Sequence, residues 1–335
     1  MIKKYIHELC PFADSLNLPQ PLKKKGYSVN IIALGDVGAT LLLGLKLLGG
    51  DIIDNIGIYD MNPAVIKRYE MEMNQIGLPF NSDESVYREL PCQLKQTLPN
   101  IRGIAENEIF DCDMVVFCAS KSVPPIQPGS NIDVRMVQFE ANRKIASHYG
   151  NLAGKSGFNG IFAVVSDPVD PLCKEVLLSS GLSPGQIKGY GLGVMNKRAQ
   201  YFSHTDEVFS SYDREGRAYG PHGSDLVIAN SIENYDDEIS CRLTKLTVDA
   251  NLKIRDIGFK PYIAPAISSG AMSLLLTLTQ QWHYSSVYLG HADNGAFLGI
   301  KNRITGSHTE IEDIPVPVNL YNRIKRAYEN LCKLV

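Results

Sequence analysis

A glycine turn over residues 33–38 is the first stretch of this 335-residue chain whose spacing could do chemistry. A strand rich in β-branched residues precedes the turn, Gly35 and Gly38 redirect the chain, and a leucine-rich segment that follows predicts a helix. A strand, a glycine turn and a helix start together present free backbone N–H groups to a phosphate. Ala33 stands where the first glycine of G-x-G-x-x-G is expected, so a plain packing turn is the alternative.

Asp60 follows a second predicted strand, Ile56–Tyr59. An acid about 20 residues beyond such glycines can accept hydrogen bonds from the ribose of adenosine. Its charge would repel a 2′-phosphate, so the pattern favours NAD over NADP. The predicted cofactor contacts in this region are Gly35, Asp36, Val37, Gly38, Asp60 and Met61.

The segments that must position these residues alternate between strands and helices. Helices are predicted at Pro63–Ile76 and Val134–Tyr149, and buried strands at Met114–Cys118 and Ile161–Val165. Alternation of this kind over 28–170 predicts an α/β fold with a doubly wound parallel sheet. Ala119 and Ser120 end one strand in small side chains, which let a cofactor approach or simply pack. The Pro/Gly-rich stretch 121–131 predicts a mobile loop over a site.

Composition limits the function classes. The formal net charge of −3 gives no indication of nucleic acid or of an anionic membrane as a partner. The seven cysteines are scattered without a C-x-x-C pair, which favours reduced thiols over disulfides or a metal site. The first residues lack the apolar run of a signal peptide, and charges or small residues interrupt the longest apolar segments. We therefore expect a cytoplasmic protein with no metal and no membrane span.

Several motifs in order resemble the lactate/malate dehydrogenase family over roughly 28–335. They are the glycine turn, Asp60, the strand DCDMVVFCA, the helix from Arg135 to Asn142, SDPVD at 166–170, GVMNKRAQYF at 193–202 and GPHG at 220–223. The resemblance implies a Rossmann NAD-binding domain over 28–170, after an N-terminal extension (1–27) and before an α+β substrate domain (171–335). It also implies NAD contacts at Asn142 and Ser166, a small carboxylate substrate, and a homodimer or homotetramer.

The same resemblance suggests catalytic roles. His222 matches the residue that moves a proton during hydride transfer, and imidazole titrates near working pH. Arg198 matches the arginine that holds the substrate carboxylate through two parallel hydrogen bonds. Arg135 matches the arginine that polarises the reacting carbonyl. The alternatives are an ordinary structural histidine and exposed surface arginines.

Two positions depart from the family pattern. Met195 stands where the family has the aspartate that orients the histidine, and a thioether cannot do this. Asn196 or Asp225 could substitute for it. Asp167 stands where the family has asparagine, and an ionised aspartate accepts hydrogen bonds but cannot donate. We count Asp167 among the catalytic candidates, paired either with His222 or with a cationic group of the substrate.

The prediction is therefore an oxidoreductase that transfers a hydride between NAD and a 2-hydroxy or 2-keto acid. One alternative is an NAD-binding homologue that has lost dehydrogenase activity, which Met195 motivates. Another is an enzyme with a changed substrate, such as an imino compound or a sugar acid. In the C-terminal half we expect a helix over 264–281, a hairpin that turns at Asn294-Gly295, and a last helix whose apolar stripe runs from Leu320 to Leu334.

Overall fold

The computed structural model describes residues 3–79, 84–91, 95, 97–121 and 134–334, without the side chains of 134–136. The strands are β1 (Lys3–Lys4), β2 (Tyr27–Ile32), β3 (Ile53–Tyr59), β4 (Asn100–Gly103), β5 (Met114–Phe117), β6 (Ile161–Val164), β7 (Ile187–Gly189), β8 (Arg217–Tyr219), β9 (Val227–Ala229), β10 (His283–His291), β11 (Asn294–Thr305), β12 (His308–Ile311) and β13 (Val316–Pro317). The α-helices are α1 (Asp36–Leu48), α2 (Pro63–Asn74), α3 (Ser85–Glu89), α4 (Val134–Ser156), α5 (Val169–Ser180), α6 (Leu192–Thr205), α7 (Tyr212–Glu215), α8 (Asp237–Asp256), α9 (Met272–Leu278) and α10 (Val318–Cys332).

One nine-stranded sheet runs through the described part of the chain, in the order β12-β11-β10-β7-β6-β5-β2-β3-β4. Strands β2 to β7 pair in parallel, whereas β10, β11 and β12 add to the edge as an antiparallel extension. The parallel part reverses its order between β2 and β5, which is the switch point of a doubly wound sheet. The predicted α/β Rossmann fold is confirmed. The domain division at residue 170 stays a prediction, and β7, which follows it, still belongs to the parallel part.

Helices cover both faces of this sheet. Val115 and Phe117 of β5 pack into a core formed with α4, α5 and α10. Met114 and Val116, which point the opposite way, pack into a second core with α1 and α9. Because both faces are buried, the strand is apolar at every position rather than at alternate ones, which is why its sequence reads as a continuous run.

The hairpin β10–β11 forms, but its turn lies two residues earlier than predicted. His291 pairs with Asn294, so Ala292 and Asp293 make the two-residue loop. Ala292 takes the left-handed conformation (φ 49°), while Gly295 pairs with Gly290 inside the ladder. Gly295 is needed there because a Cβ would approach Leu289 O to 2.3 Å. The N-G signal therefore marks a close backbone contact rather than the turn.

The last helix is shorter than its predicted stripe. Leu320, Ile324, Ala327 and Leu331 are buried along α10 as expected. Leu334 lies beyond the helix end and is 40% exposed, so its place in the core stripe was wrong.

The N-terminal extension packs along the body of the protein. Ile6 is fully buried within a 3-10 turn, and β1 pairs antiparallel with β13. Farther along, the backbone N–H of Leu18 donates to Ser307 O, and Lys23 forms an ion pair with Asp113 just ahead of β5. The extension thus ties the C-terminal strands to the start of the parallel sheet.

Candidate active site

The glycine turn at the end of β2 adopts the shape that a phosphate site needs. Ala33 is left-handed (φ 72°), a conformation that glycine takes freely and alanine does not. Its N–H donates to Tyr59 O and its carbonyl lies against Gly38, where a Cβ would approach to 2.0 Å. Only glycine fits at position 38, so α1 begins directly against the strand end.

The other predicted contacts in this turn leave room for a dinucleotide. A Cβ on Gly35 would meet nothing within 4 Å, so that side of the turn is open. The Asp60 carboxylate accepts from the backbone N–H groups of Leu34 and Asn62, both at 2.9 Å. Each carboxylate oxygen keeps a second lone pair for a ribose hydroxyl. The residues present therefore fit the adenosine ribose and the phosphates of NAD. Met61 is 89% exposed beside them.

Asn142 and Ser166 join the ends of the central strands. The Asn142 amide donates to Asp167 O at 2.6 Å and to Ser120 Oγ at 3.3 Å, and it accepts from Lys121 N. Ser166 Oγ donates to Ala119 O at 2.7 Å. Both residues are buried. Their polar atoms bind protein groups, so their first effect is to hold the β5 and β6 ends in register, and any contact with the cofactor stays a prediction.

A cavity of about 550 Å³ opens beside these strand ends and brings three catalytic candidates together. Asp167 reaches it from the end of β6, Arg198 from α6, and His222 from the loop between β8 and β9. His222 Nε2 lies 3.1 Å from Asp167 Oδ1. On the opposite side of the ring, Nδ1 packs against Gly191, where a Cβ would approach it to 2.6 Å. The imidazole is thus held between a carboxylate and a glycine backbone.

The pKa of His222 is shifted by two opposing effects. Burial lowers it, but the charge of Asp167 and its hydrogen bond, together with the charge of Asp170, raise the pKa of His222 above its ordinary value. Asp167 therefore stabilises the imidazolium form, which donates Nε2–H to it. A carboxylate just beyond the end of β6 thus pairs with the ring, but at Nε2 rather than at the Nδ1 side. Asn196 accepts instead from Tyr212, and Asp225 from Asn330.

Arg198 also lines the cavity. Among the described residues it forms no ion pair, and its Nη1 donates to Met195 Sδ at 3.4 Å. Burial lowers the pKa of the guanidinium, and the charge of nearby Asp167 partly offsets this, but a guanidinium stays protonated in proteins. The thioether of Met195 uses one of the five N–H donors of this half-buried guanidinium, so the others can bind an anion in the cavity.

Asp170 is a residue of the site that sequence reasoning did not single out. Its carboxylate is buried in the first turn of α5, accepts from Ser286 Oγ at 2.5 Å, and lines the same cavity. Burial raises the pKa of Asp170 to about 6 against the opposing effects of the Ser286 hydrogen bond and the His222 charge. An acid just past a strand end could have signalled this position in S-D-P-V-D, whereas Ser286 gave no such signal.

The remaining predicted site features fall partly outside the described residues. Arg135 lies in the first turn of α4, as predicted, but its side chain is outside the described part, as are residues 122–131 of the predicted loop. No cluster of three metal-ligating side chains occurs among the residues that the structure covers. In the same residues, no helix has the length and apolar character needed to cross a membrane.

The sequence of the chain is similar to those of known dehydrogenases. The family model described as lactate/malate dehydrogenase, NAD binding domain, matches residues 27–189. The chain is similar to the L-lactate dehydrogenase of Macrococcus caseolyticus (28% identity over 62% of this chain and 58% of that one) and to that of Mesomycoplasma hyopneumoniae (25% over 67% and 64%). The match thus spans about 58–64% of the length of these relatives.

Solved structures share the fold over most of the chain. The apo malate dehydrogenase of Picrophilus torridus superposes with a TM-score of 0.71 at 19% identity, covering 92% of this chain and 95% of that one. The malate dehydrogenase of Archaeoglobus fulgidus in complex with NADH gives a TM-score of 0.71 at 15% identity, covering 92% and 98%. At this level of identity the likeness establishes the fold.

Proposed function

We propose that this chain, which belongs to the lactate/malate dehydrogenase family, is an NAD-dependent dehydrogenase of a 2-hydroxy acid. One observation carries the proposal. His222 and Arg198, which the sequence places 24 residues apart, line one cavity at the carboxyl ends of the parallel strands. An acid–base group and an unpaired guanidinium are the two groups that a hydroxy acid requires.

Arg198 binds the substrate carboxylate. A guanidinium holds a carboxylate through two parallel N–H···O bonds, which fixes the angle of the neighbouring carbon as well as its position. Met195 Sδ is a weak acceptor that a substrate carboxylate could displace from Arg198 Nη1. Arg135, at the start of α4, would polarise the reacting carbonyl.

His222 moves the proton at the substrate oxygen. In carbonyl reduction the Nε2 proton, which His222 shares with Asp167 in the free protein, would pass to the developing alkoxide, and in alcohol oxidation the neutral Nε2 would take it from the hydroxyl. Bound NAD supplies the hydride acceptor or donor. Because Asp167 raises the pKa of His222, the protonated form that carbonyl reduction requires persists to a higher pH.

The fit of the glycine turn and Asp60 supports NAD as the cofactor, and the Asp60 charge disfavours a 2′-phosphate. Asp167 already faces His222, so no cationic substrate is needed to balance its charge. This weakens the alternative of an imino substrate. The alternative of an NAD-binding homologue without dehydrogenase activity is weakened as well, because His222 has a carboxylate partner despite Met195. Assembly as a homodimer or homotetramer, and a cytoplasmic location, stay predictions.

The test is steady-state oxidation of NADH with a panel of 2-keto acids, for the wild type and His222→Ala. We expect turnover with at least one acid and a loss of roughly 10²–10⁴-fold in kcat for the variant. Tight NADH binding without turnover across the panel would contradict the proposal and favour the NAD-binding homologue. Unchanged turnover in His222→Ala would remove that residue from the mechanism.

A further inference from the structure

An ion pair at the start of α1 stands outside the catalytic cavity. Lys260 Nζ lies 2.9 Å from Asp36 Oδ2, and the two side chains are 78% and 49% exposed. Asp36 is the first residue of α1 and follows Gly35 directly. Its carboxylate therefore stands beside the N–H groups that would receive the phosphates of a dinucleotide. Alone, a carboxylate here would repel a pyrophosphate.

Lys260 comes from a distant part of the chain. It lies in the segment 257–264, between α8 and the π-helical turn Pro265–Ala271 that leads into α9. The next residue, Pro261, lines the catalytic cavity. The segment thus has the substrate cavity on one side and the glycine turn on the other, and it places an ammonium at the entrance of the cofactor site.

The pair is better suited to ligand binding than to stability. An ion pair between two such exposed side chains contributes little to folding. The lysine ammonium is a point charge on a flexible four-carbon stem with three donors, so it can exchange a carboxylate for a phosphate oxygen without backbone movement. A pyrophosphate near an α-helix start carries more negative charge than the single carboxylate of Asp36.

We infer that Lys260 is a ligand of the cofactor pyrophosphate, and that Asp36 holds it at the entrance before the cofactor arrives. The inference rests on the proposed function, because it needs a dinucleotide in the glycine turn. It assigns opposite effects to two residues in contact. Lys260 strengthens dinucleotide binding, whereas Asp36 competes for the lysine and opposes the phosphates.

The test is titration of the full-length protein with NADH, followed by NADH fluorescence, for Lys260→Met, Asp36→Asn and the double variant. We expect the dissociation constant to rise roughly tenfold in Lys260→Met and to fall a few-fold in Asp36→Asn. Lys245→Met is the matched control, because this exposed lysine lines a separate cavity, and it should leave the constant unchanged. Added salt should shrink the Lys260 effect.

The double variant distinguishes direct contact of Lys260 with the pyrophosphate from mere neutralisation of the Asp36 charge by Lys260. If Lys260 touches the pyrophosphate, Lys260→Met still weakens NADH binding in the Asp36→Asn background, while adenosine, which has no phosphate, binds all variants equally. No effect in that background would overturn the inference. Equal NADH binding by Lys260→Met and the Lys245→Met control would also overturn the inference, but it would not affect the proposed function. Failure of the wild type to bind NADH would overturn both.

Discussion

At the residue scale, the partner of His222 distinguishes this site from the family pattern. A carboxylate on α6 would hold the ring from the Nδ1 side, but position 195 is methionine and Nδ1 packs on Gly191. Asp167 binds Nε2 instead, at 3.1 Å. The charge that stabilises the imidazolium therefore comes from the end of β6, on the cavity side of the ring. The position of Asp167 therefore affects the pH range over which His222 is protonated and can act as the general acid.

Asp167→Asn should move the alkaline limb of the reduction profile to lower pH. The aspartate raises the pKa of His222, so the protonated acid of the wild type persists to a higher pH and is lost as the pH rises through that value. An amide removes the charge, so the variant loses its acid earlier and should lose several-fold more kcat/KM at pH 8 than at pH 6. The measurement is kcat/KM for keto-acid reduction against pH. Coincident limbs in the two proteins would contradict the pairing.

Ala33→Gly should stabilise the protein. Alanine at φ 72° carries about 1–2 kcal/mol of left-handed strain. Glycine relieves this strain but gains unfolded-state entropy, so the net increase in the free energy of unfolding is about 0.5–1 kcal/mol. Ala39→Gly, inside α1, is the matched control and should lower that free energy by about 1 kcal/mol. Chemical denaturation measures both, and a loss of stability in Ala33→Gly would show that the turn is unstrained.

At the element scale, β7 places a lysine in the middle of the sheet. Lys188 is 1% exposed and donates to Thr309 Oγ1 at 3.1 Å and to Asn302 Oδ1 at 3.4 Å. No carboxylate pairs with it among the described residues. Burial lowers the pKa of Lys188 to about 7, with a small opposing effect from Cys173. The strand therefore favours a neutral amine.

The buried amine predicts a stability that rises with pH. Between pH 7 and about 10 the unfolded chain holds a proton that the folded amine does not, so the free energy of unfolding increases by about 1.4 kcal/mol per pH unit from this group. Lys188→Met should remove that slope and stabilise the protein at pH 7 by about 2–4 kcal/mol. Denaturation at pH 7, 8.5 and 10 measures it. Equal slopes in both proteins would mean that Lys188 is charged in the fold.

The sequence predicted elements wherever burial leaves a simple pattern. Strands β2, β3, β5 and β6 each contain an apolar run, and α1 and α2 have clear starts, so all six were expected. Strand β7 was not, because it has three residues and a lysine at its centre. The hairpin turn was misplaced because Gly295 pairs with Gly290 inside the β10–β11 ladder, and only the register of the two strands shows this. Short pairs such as β8–β9 depend on tertiary contacts.

The site was predictable to a similar degree. His222 and Arg198 could be nominated from their motifs, and Asp167 as a partner of His222 was one of two possibilities. The choice between them depends on where the β6 end and the β8–β9 loop meet, which no local pattern encodes. Asp170 could not be nominated, because its burial beside the cavity is not visible in the sequence. Lys260 lies 224 residues from Asp36 and gave no signal at all.

At the scale of the whole molecule, the N-terminal extension joins the β12 edge of the long sheet to its centre. Through β1, Leu18 and Lys23 it contacts β13, the turn before β12, and the residue preceding β5. Its buried Ile6 and Leu16 belong to the same core as α4, α5 and α10, whereas Leu18 belongs to the core with α1 and α9. We therefore expect the extension to contribute to global stability rather than to be a separable tail.

Ile6→Ala should lower the free energy of unfolding of the entire protein by about 2–4 kcal/mol, because it leaves a cavity in that core. Phe12→Ala is the matched control. Phe12 lies in the same extension but is 85% exposed, so its loss should change stability by less than about 0.5 kcal/mol. Thermal and chemical denaturation compare them. Equal, small effects would show that the extension unfolds independently of the body.

The central claim is that Arg198 holds an acid beside His222. The most direct test is the ratio of kcat/KM for a 2-keto acid to that for its uncharged methyl ester, measured with NADH in the wild type and in Arg198→Gln. We predict a preference for the acid of about 100-fold in the wild type, from the lost charge-assisted bonds to the ester, and its near disappearance in the variant. An equal preference in both proteins would contradict the account.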